Sequence, residues 1–170
     1  MDGSFEQARA FFLQGLAHYQ AGRFADAERE FAASLSLVPG RASTLTNLGA
    51  TRLKLGKFDE AASLLQEAIS QDERNAEAHG QLAAALAETG RTESALAHAV
   101  RAVELDPASG AAWTLRGTLE RELGRTQDAE ASFRQALDHD ADPELVRYYL
   151  AAVSRQAPPP APPRGYVEQL

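Results

Sequence analysis

Cysteine is absent from this chain, tryptophan occurs once and methionine only at the first position. Without cysteine there are no disulfides and no thiolate metal ligands, and a cytoplasmic setting is the expectation. Basic clusters are missing too. The 17 Lys and Arg are scattered singly among 24 Asp and Glu, giving a formal net charge of -7. Such a chain repels nucleic-acid phosphates and anionic lipid, so neither is an expected partner. No apolar run reaches 18 residues, so no membrane span is expected, and the opening MDGSFEQARAFF does not have the pattern of a signal peptide. Proline is scarce until the end. Five of the eight prolines fall in residues 158–163, leaving Pro39, Pro107 and Pro143 for everything before.

Catalytic patterns are missing as well. The four histidines (His18, His79, His98 and His139) form no i, i+4 pair, and no HExxH, GxSxG or GxGxxG occurs. Gly56 and Lys57 sit in LKLGKF, where Phe58 replaces the Ser or Thr of a phosphate-binding loop. Asp138, Asp140 and Asp142 imitate the opening of a calcium-binding loop. Pro143 then stands where its glycine belongs and Tyr149 where its bidentate glutamate belongs. No nucleophile, acid–base pair or ligand set converges, so no catalytic, cofactor-binding or metal site is expected and the chain reads as a non-enzyme.

What the chain does have is a period. GRFADAEREF begins at Gly22, GKFDEAASLL at Gly56, GRTESALAHA at Gly90 and GRTQDAEASF at Gly124, each 34 residues after the last. Apolar residues recur three and four apart on either side of each glycine, which predicts two amphipathic helices per unit with the glycine ending the first. Ser4 with Gln7 predicts a capping box, Thr92 and Thr126 predict N-caps for second helices, and Pro39 and Pro107 mark second-helix ends. Residues 143–156 read as a further helix with Pro143 in its first turn. It would cap the array through Leu145, Tyr148, Tyr149 and Ala152, with Val146, Leu150 and Val153 widening that face toward either the solenoid or a further domain.

This pattern resembles the tetratricopeptide repeat (TPR) family, with units at 8–41, 42–75, 76–109 and 110–143. The small eighth residue of each unit is Gly15, Gly49, Ala83 or Gly117, and the alanine at the twentieth is Ala27, Ala61, Ala95 or Ala129. The twenty-fourth is Phe31, Leu65, Ala99 or Phe133. Departures fall at the seventh position, usually Leu, which is Gln14 in the first unit and Arg116 in the fourth. The resemblance implies an all-α fold: a TPR solenoid of four helix-turn-helix repeats plus a C-terminal capping helix, in a right-handed superhelix, with residues 1–156 as the TPR domain.

It also implies a function, a non-catalytic protein–protein interaction module holding a peptide or partner protein in a concave groove lined by the first helices. The groove positions, carried over by resemblance, are Arg9, Phe12, Leu16 and Tyr19 in the first unit and Asn47, Ala50 and Lys54 in the second. Glu77, Gln81 and Ala84 follow in the third, and Thr114, Thr118 and Arg121 in the fourth. Leu13, Thr46 and Leu115 belong to the same face. Asn47 matches an asparagine that the family uses to bond a ligand backbone. Phe12, Leu16 and Tyr19 either line the groove or pack against residues such as Phe5. The basic pair that clamps chaperone tails is replaced by Phe12, Leu16, Glu77 and Gln81, so that ligand is not expected.

The tail, APPPAPPRGYVEQL, has three readings. It is an extended solvated segment, an SH3 ligand through PPAPPR at 159–164, or a stiff linker over 157–165 with 166–170 opening a downstream domain. Residues 158–170 resemble the link in bacterial TPR-containing methyltransferases. That likeness implies a recognition arm for an S-adenosylmethionine-dependent domain. The alternative is a stand-alone adaptor with a proline-rich docking tail.

Overall fold

The computed structural model describes residues 3–154. The tail readings therefore lie outside the described residues. Within them the chain is all-α, with nine helices in this order: α1 Gly3–Gln20, α2 Phe24–Leu37, α3 Ala42–Lys54, α4 Phe58–Gln71, α5 Ala76–Glu88, α6 Thr92–Leu105, α7 Gly110–Glu122, α8 Thr126–Asp138 and α9 Pro143–Val153. The chain divides into two compact units, Met1–Arg91 and Thr92–Leu170. In the first, α1 packs on α2 and α3 on α4, and α3 lies beside both α1 and α5. In the second, α7 packs on α8, α6 lies against α7, and α9 closes on α8 and α7.

One turn recurs four times. Gly22, Gly56, Gly90 and Gly124 all have φ of 72–75°, a left-handed conformation that a side chain would strain. Each glycine N–H donates to the carbonyl three residues back, and the next N–H to the carbonyl five back: Gly22 to Tyr19 and Arg23 to His18, Gly124 to Arg121 and Arg125 to Glu120. This double bond satisfies carbonyls that a helix end leaves open. The turn is so tight that the residue after the glycine already opens the second helix. Arg23, Lys57 and Arg125 occupy the N-cap with no side-chain capping bond. Thr126 is consequently the first residue of α8 and caps nothing, and Thr92 likewise begins α6. The expected threonine caps are corrected by one residue. Ser4 also falls inside α1, which begins at Gly3.

The hairpins close through small residues set against large ones. A Cβ on Gly15 would lie 2.7 Å from Phe31, on Gly49 2.6 Å from Leu65, and on Gly117 2.7 Å from Phe133, so only glycine lets these helices approach. Ala27, Ala61, Ala95 and Ala129 are fully buried, as are Phe31, Leu65, Ala99 and Phe133. Several polar groups in these cores are paired, although the buried Glu30 Oε2 on α2 has no partner among the described residues. The Ser34 hydroxyl donates to the Ala8 carbonyl at 2.8 Å, and in the second unit Arg116 Nε (2.7 Å) and the Ser132 hydroxyl (2.6 Å) both donate to the buried Glu120 carboxylate.

The last helix is turned relative to the sequence expectation. Pro143 opens α9 behind an Asp142 cap that accepts from the Glu144 and Leu145 N–H groups. Its buried residues are Val146 and Val153, with Tyr149 and Leu150 packed partly against the same core and Ala152 exposed. The inward stripe is therefore 146, 149, 150 and 153, the i, i+3, i+4, i+7 set of one helix face. If α9 is numbered as the first helix of another 34-residue unit, Val146, Leu150 and Val153 are its third, seventh and tenth residues. The same positions are buried in α3 (Thr44, Leu48, Thr51) and α5 (Ala78, Leu82, Ala85). Thus α9 repeats the burial phase of a first helix, and Tyr148 and Tyr149 stand at the fifth and sixth positions.

Candidate functional site

In the first unit the side-by-side helices α1, α3 and α5 carry ten of the thirteen expected groove residues. They differ in freedom. Phe12, Leu16 and Tyr19 are half-buried against Ala27, Phe31 and Leu48, with the Phe12 and Phe31 ring centroids 5.6 Å apart and those of Tyr19 and Phe24 5.3 Å apart. Part of their apolar surface is therefore taken up inside the first hairpin and against α3. Leu13, on the same face, is 53% exposed. Burial, and secondarily the nearby Glu77 carboxylate, raises the Tyr19 pKa above 10.0, linking the end of α1 electrostatically to the start of α5.

Along α3 and α5 the floor is small: Ala50 is buried and Ala84 half-buried. Beside them stand two amides, Asn47 and Gln81, each the sixth residue of its repeat, as Leu13 is of the first. Asn47 Nδ2 donates to the Ser43 carbonyl at 2.8 Å, and its Oδ1 has no partner among the described residues. Gln81 makes no side-chain hydrogen bond among them. Arg9, Lys54 and Glu77 are exposed at the two ends of the face. Thr46 shares the face by sequence but is buried. Its hydroxyl donates to the Ala42 carbonyl and accepts from Asn75 Nδ2 at 3.0 Å, while Asn75 Oδ1 caps α5 by accepting from the Ala78 N–H. That chain of bonds holds α5 in register with α3.

In the second unit, α7 presents Thr114, Thr118 and Arg121. Both threonine hydroxyls are turned back to the helix, donating to the Gly110 and Thr114 carbonyls. The Arg121 guanidinium lies over the Tyr149 ring, 5.3 Å from its centroid. Tyr149 stacks on Phe133 at 5.3 Å and 17°, and meets Tyr148 edge-on at 5.8 Å. The sequence reading gave these tyrosines to the cap; the missed signal was the repeat phase of α9.

Helical hairpins with one repeated turn, small-to-large packing and an exposed face on each first helix define an all-α helical-repeat protein. Three models of the tetratricopeptide repeat match it, over residues 6–74, 52–119 and 114–158. The chain belongs to the tetratricopeptide repeat family. No curated protein matches it. Among solved structures it resembles a thermophilic TPR protein of Thermus thermophilus, with 25% identity and a TM-score of 0.75 over 87% of this chain and 81% of that one. It also resembles YrrB, described as a TPR protein with an unusual peptide-binding site (24% identity, TM-score 0.71, 86% of this chain and 74% of that one). A third is the first TPR of Spaghetti bound to the HSP90 peptide SRMEEVD (20% identity, TM-score 0.68, 71% of this chain and 95% of that one). No helix among the described residues is long and apolar enough to cross a membrane.

Proposed function

We propose that this chain is a non-catalytic peptide-binding module whose contact surface is the face shared by α1, α3 and α5. The observation that carries the reading is the row formed by the sixth residues of three neighbouring helices. An exposed leucine, Leu13, is followed by two amides with unused hydrogen-bonding capacity, Asn47 and Gln81, beside the small residues Ala50 and Ala84. An extended peptide carries unpaired main-chain donors and acceptors that such amides match, and the small residues leave room for its backbone. Leu13 offers apolar area to one of its side chains. The fold shared with YrrB and with the peptide-bound Spaghetti repeat is consistent with this use.

The test is a selection of twelve-residue displayed peptides on the full chain, followed by affinity measurement on the double variant Leu13→Ser, Asn47→Ala. Both residues lie outside the first hairpin's core, whereas Phe12 does not, so the variant retains its fold by circular dichroism. Affinity should fall roughly tenfold or more, as loss of one buried hydrogen bond and one apolar contact implies. Unchanged affinity rejects this face. A finer reading makes the chain the recognition arm of an S-adenosylmethionine-dependent methyltransferase in the cytoplasm. It rests only on residues 158–170, outside the described residues, and the mass of the native gene product tests it: a product ending at residue 170 leaves the adaptor reading.

A further inference from the structure

We propose that α7 and α9 of the second unit form a contact face of their own, on which Arg121 and Tyr148 receive an acidic side chain of a peptide ligand. The proposal extends the peptide-binding reading above to the second unit taken by itself, and specifies one class of residue that a ligand of this face carries. Two observations support it. First, α9 has the burial phase of a repeat's first helix, so Tyr148 and Tyr149 take the fifth and sixth positions, the places of Thr114 and Leu115 on α7. The candidate face thus continues from α7 onto α9, adding two aromatic rings.

Second, the charge on this face is unneutralised. Arg29, Arg52, Arg91, Arg101, Arg116 and Arg134 each pair with an Asp or Glu. Arg121 is exposed and, like Arg9, Arg74, Arg125 and Arg147, pairs with no carboxylate among the described residues, although Glu122 follows it on α7 and Glu144 lies in the first turn of α9; its seat on a core-anchored ring sets it apart. Its planar group rests 5.3 Å from the centroid of Tyr149, which is itself fixed by stacking on the fully buried Phe133. A guanidinium laid against a fixed ring loses less freedom when it binds, and its donors suit a carboxylate. The neighbouring Arg116 is consumed by Glu120. In a chain of net charge -7, this is a cationic spot set in aromatic and threonine surface, and an acidic residue flanked by apolar ones complements it.

The test uses peptides displayed with their C-termini fused to the carrier, so that only side-chain carboxylates are available. A selected peptide is remade with each Asp and Glu replaced by Asn and Gln, and both forms are titrated against the full chain and its Arg121→Gln variant. The expected result is that amide replacement weakens binding to the parent chain roughly tenfold, the scale of one charge-assisted hydrogen bond, and has little effect in Arg121→Gln. Tyr148→Ala should weaken the acidic form alone. Arg121→Lys should recover part of the difference, since it keeps the charge and loses the flat contact. An equal effect of amide replacement in both proteins, or selected peptides without acid, overturns the proposal, whatever Asn47→Ala shows for the first face. If Asn47→Ala is also silent, the peptide-binding reading itself falls.

Discussion

Gly117→Ala sets two opposed effects against each other. Within α7 the substitution gains helix propensity, about 1 kcal/mol. Its new Cβ, however, would stand 2.7 Å from Phe133 Cε1, 2.8 Å from Cδ1 and 3.1 Å from Cζ. Phe133 has nowhere to go, being fully buried and stacked on Tyr149 at 5.3 Å. Overpacking of this kind costs about 1–3 kcal/mol, so the net expectation is a loss of about 1 kcal/mol. For a unit of this size that is a fall of about 4–8 °C in melting temperature. The only tryptophan, Trp113, packs against the same core and makes its fluorescence a probe of this unit, which matters because repeat arrays need not unfold as one. With Phe133→Ala already in place the ring that the new Cβ meets is gone, so Gly117→Ala should then cost little further. A rise in melting temperature for Gly117→Ala alone would show that the close approach does not hold, and that propensity alone decides.

Three further outcomes follow from the hydrogen bonds and ion pairs. Asn75→Ala removes both the α5 cap and the bond to Thr46, and should destabilise the first unit by about 2 kcal/mol in urea unfolding followed by circular dichroism. Ser132→Ala withdraws a donor from the buried Glu120 carboxylate and should cost about 1.5–3 kcal/mol by Trp113 fluorescence in urea. Burial tends to raise the Glu28 pKa, but its bonds to Lys57 and Arg52 outweigh that and hold it below the ordinary 4.5. Because the folded value is the lower one, Glu28 contributes stability above the unfolded-state pKa and loses it as pH falls through the folded value. Glu28→Gln should therefore be less stable at pH 7 and lose less stability below about pH 4.5 than the parent chain, as thermal melts across that range would show.

Much of the fold was readable because the repeat encodes it locally. Four glycines at one spacing predicted four left-handed turns, and the small residues at the eighth and twentieth positions marked where the helices of a hairpin approach. The Thr126 cap failed because the turn lets Arg125 end one helix and open the next, a compression that spacing alone does not reveal. The α9 face failed because Leu145, Tyr148 and Ala152 fit one helical stripe as well as Val146, Leu150 and Val153 fit another. Only the continued repeat phase chooses between them. Phe12 and Tyr19 were legible as members of the first-helix face, but their packing against Phe31 and Phe24 depends on which side chains fill the hairpin. Arg121 was read only as a groove position of the fourth unit. Its seat on Tyr149 requires two helices separated by α8, a relation no local pattern contains.

The measurement that bears most directly on peptide binding by the first-helix face is amide chemical-shift mapping of the full chain during titration with a selected peptide. The account predicts that the largest changes in the first unit fall on α1, α3 and α5 around Leu13, Asn47 and Gln81, with α2 and α4 little affected. Changes concentrated on α2 and α4, with those three residues silent, would contradict it.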